Sequence, residues 1–110
     1  MKVFFDSSSY IKKFINEKGS HDVDEYCQKA SSLGLSVICL PEMMSALNRK
    51  IREGHLSEQN YKVIKSQLVD DIEDIDIINL SSEVIDNTII LLENNHLRSL
   101  DALHVACAIV

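Results

Sequence analysis

At 110 residues the chain is a single domain, 1–110, long enough for one core that needs no disulfide or metal staple. Its 45% hydrophobic and 25% charged residues exclude a disordered chain. No apolar run approaches the roughly 18 residues of a membrane span. A net charge of −6 excludes nucleic-acid binding by overall charge, but Arg49, Lys50 and Arg52, and Lys12 with Lys13, leave room for a local basic rim.

In chain order, KVFF (residues 2–5) is a first predicted strand, ending at Asp6. The start lacks a signal-peptide pattern, so a cytoplasmic location is expected. Tyr10, Ile11, Phe14 and Ile15 then recur at helical spacing. After Gly19 and Ser20, a second helical face carries Val23, Tyr26, Cys27, Ala30 and Leu33, with Gly34 as its C′ stop. LSVICL (35–40) is the second predicted strand. Pro41 suits the first position of a helix that aligns Met43, Ala46, Leu47 and Ile51 and stops at Gly54. Ser57 is an N-cap for a helix with Tyr61, Ile64, Leu68, Ile72 and Ile75 on one face. DIINL (76–80) is the third predicted strand. Ser81 or Ser82 caps the next helix, with Ile85, Ile89 and Leu92 expected to face inward. A last helix begins near Ser99 and is still helical at Val110.

Short apolar strands joined by helices predict an α/β domain whose parallel sheet is covered on both faces. Cys27, Cys39 and Cys107 are widely spaced and read as buried thiols; they and the scattered histidines match no zinc spacing. Three acids occupy equivalent places. Asp6 follows the first strand, Glu42 follows the second and Pro41, and Asp101 opens the last helix. Ligands of open parallel sheets bind at the carboxyl ends of the strands, so these three acids are expected to meet there. The plainer reading makes each a partner of a helix dipole, and Asp6 an N-cap. Clustered carboxylates repel, and a divalent cation relieves that; an all-oxygen set favours Mg²⁺ or Mn²⁺.

VFFDSSSYIKKF, LPEMMSALNRKIREGHLS and LRSLDALHVACA together resemble the blocks of a PIN domain of the VapC toxin type, in the family's order and over nearly the whole chain. The resemblance implies a three-layer α/β/α domain acting as an Mg²⁺- or Mn²⁺-dependent ribonuclease. Asp6, Glu42 and Asp101 match its catalytic, metal-holding acids, and Ser8, with Ser7 beside it, matches its supporting hydroxyl. Such proteins usually form homodimers and are restrained by an antitoxin protein. They also continue past the last helix into a further strand and a fourth acid that this sequence does not carry. In that fold the first strand is central. Without its missing neighbour, KVFF is expected to leave an open edge that favours association.

Other residues are weighed beside these. Arg49, Arg52 and Arg98 are candidate contacts to RNA phosphates, with a solvated helix face as the alternative for the first two and pairing with Asp101 as the alternative for Arg98. His104 shares a helical face with Asp101 and could approach the site, but a packed core histidine is the favoured reading. The run DDIEDID (70–76) is read as a solvated helix end, and Met43 and Met44 as core or dimer contacts. A non-catalytic PIN module that acts through protein binding is the competing reading. A receiver-like or phosphatase-like domain is disfavoured because Ser8 stands where a second aspartate is needed.

Overall fold

The computed structural model describes residues 2–15 and 18–109. Three strands, β1 (Lys2–Phe5), β2 (Ser32–Ser36) and β3 (Asp76–Ile78), form a parallel sheet in the order β1-β2-β3. Six helices connect and follow them: α1 (Ser7–Tyr10), α2 (Ser20–Lys29), α3 (Cys39–Arg52), α4 (Glu58–Ile72), α5 (Ser82–Asn94) and α6 (Ser99–Ile109). The predicted alternation of one strand and two helices holds throughout. Val110 lies outside the described residues, so helix at that position is not addressed.

Period-2 alternation distributes the strand side chains between two helical layers. Val3, Phe5, Leu33, Leu35 and Ile77 join a large core with Tyr10, Met43, Leu47, Ile64 and Leu68, built by α1 to α4. Phe4 and Ile78 point the other way, to a small cluster with Val84, Leu91, Leu103, Ala106 and Cys107 of α5 and α6. This is the expected three-layer arrangement. Within the described residues β2 is the central strand and β1 pairs with β2 alone, which leaves the first strand with an open edge as expected.

The second strand lies three residues earlier than predicted. Helix α2 ends at Lys29 because Ala30 turns extended, at φ −72° and ψ 136°. Gly34 is therefore no helix stop but a strand residue opposite Phe4. A Cβ there would meet the Phe4 ring at 3.1 Å, so the missing side chain makes room for that ring. Cys39 and Leu40, predicted as strand, already form the first turn of α3. Pro41 is third in that helix and not first, where a backbone N–H still lacks an intrahelical partner. At the other end Gly54, at φ +78°, closes α3 as expected, through His55 N–H to the Lys50 carbonyl (2.8 Å) and Gly54 N–H to the Ile51 carbonyl (3.0 Å).

Three other expectations change. The first helical face is one turn of α1 followed by a 3₁₀ turn, Ile11–Lys13, held by Tyr10. That ring is fully buried beside Phe5 and Phe14, and its hydroxyl donates to Asp71 Oδ2 at 3.3 Å. Lys13 Nζ meets the same oxygen at 2.8 Å, so Asp71 of the acidic run is a tertiary anchor and not merely a solvated helix end. In α5 the buried positions are Val84 and Thr88, while Ile85, Ile89 and Leu92 stay 39%, 50% and 37% exposed. Both stripes have helical period. Thr88 tolerates burial because its hydroxyl donates to the Val84 carbonyl at 2.7 Å.

Candidate metal and phosphate cleft

A cleft of about 400 Å³ opens where β1 ends and α3 and α6 begin. It is lined by Asp6, Ser7, Ser8, Glu42, Arg98, Ser99, Leu100, Asp101 and His104. All three predicted acids and Ser8 therefore border one space, contributed by three separate parts of the chain.

Asp6 is placed by the end of β1, where Phe5 is drawn into the core. It is also the N-cap of α1. Its Oδ1 accepts from Ser9 N–H at 2.8 Å and from the Ser8 hydroxyl at 3.1 Å. Burial pushes its carboxyl up, but the Ser9 and Ser8 hydrogen bonds and nearby His104 outweigh that and hold it below the ordinary value. The N-cap role and the cleft position coexist in one side chain.

Glu42 stands in the first turn of α3. Its Oε1 accepts the Ser7 hydroxyl at 3.0 Å and lies 2.8 Å from His104 Nε2. Its other oxygen has no hydrogen-bond partner among the described residues. In the sequence Ser7 stands out only as the neighbour of Ser8, and a packed core role is favoured for His104 over an approach to the site. His104 is indeed buried, at 6% exposure, but its polar contact is the cleft acid. The signal was present in the spacing: His104 lies three residues after Asp101, one turn along the same face. Cys39, at the start of α3, is pushed up to about 12 by burial and then by the charges of Glu42 and Asp6, which keeps it a thiol.

Asp101 lies in the first turn of α6, exposed, and its side chain makes no hydrogen bond or ion pair among the described residues. Arg98 precedes it at the cleft wall and also forms no ion pair among them. Arg49 and Arg52 sit in the last turn of α3, outside the cleft lining. They are seven and ten residues beyond Glu42, roughly 10 and 15 Å along the helix axis.

The three acids lining the cleft offer oxygen donors alone, and the hydrogen bonds to Asp6 and Glu42 each fall on a single oxygen. Among the described residues no three acidic, histidine or cysteine side chains are grouped closely enough to hold a metal ion.

No family model and no curated protein matches the sequence. Solved structures match the fold. A chain of a toxin–antitoxin complex from Klebsiella pneumoniae superposes with a TM-score of 0.66 at 19% identity, over 98% of this chain and 78% of its own length. A chain of VapBC2 from Rickettsia felis, bound to a DNA fragment from their promoter, gives 0.65 at 14% identity, over 99% and 80%. At these identities the likeness is one of fold, and the fold of this chain is the PIN-like α/β sandwich that its three sequence blocks resemble.

Proposed function

We propose that this chain is a metal-dependent ribonuclease and the toxin member of a toxin–antitoxin pair. The observation that carries the reading is the meeting of Asp6, Glu42 and Asp101 around one cleft, although 36 and 59 residues separate them in sequence. The two fold neighbours, both from complexes of toxin with antitoxin, support the pairing with a small antitoxin protein. A homodimer and a cytoplasmic location belong to the same proposal. Among the described residues no helix is long and apolar enough to cross a membrane.

In this reading Asp6, Glu42 and Asp101 hold Mg²⁺ or Mn²⁺. When bound, the ion supplies positive charge and Lewis-acid polarisation for phosphodiester hydrolysis. The chain's own residues do the rest. Ser8 and Ser9 hold the Asp6 carboxylate in its ionised form through Oδ1. Ser7 and His104 fix one Glu42 oxygen, leaving the other for the cleft. Arg98, at the cleft wall, receives a phosphate of the RNA, and Arg49 and Arg52 extend the track along α3. The acidic surface from 66 to 97 carries eight acids and no Lys or Arg, so RNA approaches from the arginine side.

Cleavage of a labelled single-stranded RNA with Mn²⁺, and its loss in EDTA, tests the reading. Asp6→Asn and Asp101→Asn should each lose more than the roughly 10–100-fold typical of an outer-shell partner, with the chain still folded. One observation favours the competing reading of a non-catalytic protein-binding module: the acids do not close on a common point. Under that reading no RNA is cleaved with or without Mn²⁺, and both variants still bind the same protein partner.

A further inference from the structure

We propose that His104 is a positioning residue, which aims the Glu42 carboxylate into the cleft by holding its Oε1. The inference rests on the reading of Glu42 as a metal-holding acid and adds to it a second layer of support from α6.

Four observations carry it. First, His104 Nε2 lies 2.8 Å from Glu42 Oε1, across 62 residues of sequence. An ionised carboxylate only accepts, so Nε2 donates whichever charge state the ring holds. Second, the contact is sheltered. The His104 side chain is 8% exposed and that of Glu42 27%, so water competes poorly for either group. Third, Nδ1 of the same ring is buried and has no partner among the described residues. Glu42 is thus the one hydrogen-bond partner of this imidazole among the described residues. Burying an imidazole costs free energy that an apolar side chain avoids, and the bond to Glu42 offsets part of that cost. Fourth, Ser7 donates to the same Oε1 at 3.0 Å. Two donors from two elements on one oxygen restrain a side chain that otherwise rotates about three bonds, and leave the second oxygen open.

The partner groups also explain why α6 carries the histidine. Asp101 stands one turn earlier on the same helix and borders the same cleft. Docking α6 therefore delivers one acid directly and orients a second through His104. Metal-holding side chains are commonly oriented in this way by a hydrogen-bonded group behind them.

Mn²⁺ titration by calorimetry and electron paramagnetic resonance tests the proposal on wild type, His104→Gln, His104→Asn and His104→Leu, with Glu42→Gln as reference. A glutamine amide nitrogen is as many bonds from the backbone as His Nε2, whereas an asparagine amide falls one bond short. The expected result is near wild-type affinity in His104→Gln and about 10-fold weaker binding in His104→Asn and His104→Leu. Glutamine and asparagine are both polar at the same buried position, so a general loss of packing cannot separate them. Equal affinity in all three variants, whether unchanged or equally weakened, overturns the positioning role while leaving the metal site standing. Wild type and Glu42→Gln alike without saturable Mn²⁺ binding overturns the metal reading itself, and the positioning role with it.

Discussion

The two faces of the sheet are built to different depths. On one side α1 to α4 enclose a core with Tyr10, Leu35, Met43 and Leu47 fully buried. On the other, α5 and α6 bury Val84, Ala106 and Cys107, while Ile85, Ile89, Ile90, Val105 and Ile109 remain exposed. The cleft lies on the seam. Asp6 and Glu42 belong to elements rooted in the deep core, whereas Asp101 and His104 ride on the helix of the shallow one. The site's geometry therefore depends on docking the thinner layer, and the His104–Glu42 hydrogen bond joins the two.

Core truncation should separate the two layers most clearly. Leu47→Ala, in the deep core, is expected to destabilise by about 2–5 kcal/mol. Val84→Ala, which removes two methyl groups from the thin layer, is expected to cost ~1.5 kcal/mol. Urea unfolding measures both. Equal effects, or a larger one for Val84, contradict two layers of unequal depth. Native-state hydrogen exchange sharpens the point, since α6 amides should open at lower free energy than those of α3.

The smallest expected effect concerns pH. The Asp6 carboxyl is held below its ordinary value of 3.8 in the fold. A lowered acid contributes stability above the unfolded value, and that contribution fades as pH falls through the folded one. The stability difference between wild type and Asp6→Asn should therefore shrink on acidification below about pH 4. A difference that is flat from neutral pH down through that range contradicts the hydrogen-bonded, ionised Asp6.

Much of this architecture was readable in the residues because it depends on local chemistry. Apolar periodicity revealed the alternation of strands and helices, and Ser57, Ser81 and Gly54 marked boundaries by hydrogen bonds and backbone freedom they supply locally. What escaped depends on distant partners. Gly34 signals a helix stop in sequence, and only the Phe4 ring beside it makes it a strand residue. The inward face of α5 was misassigned because two apolar stripes share one period and the sheet selects between them. Asp71 looks solvated until Tyr10 and Lys13 arrive from across the fold. The three acids stood out by their places after strands and at helix starts. The support of Glu42 by Ser7 and His104 did not, since no local rule pairs residues 35 and 62 positions apart.

The most direct measurement is a thermal-shift titration with Mn²⁺ and Mg²⁺ on wild type and Asp6→Asn. An ion that binds only the folded chain stabilises it by about 2.7 kcal/mol at a hundredfold excess over Kd. The account predicts a saturable upward shift in wild type that is lost in Asp6→Asn. No shift in wild type, or the same shift in both proteins, contradicts a cation site built from the acids of this cleft.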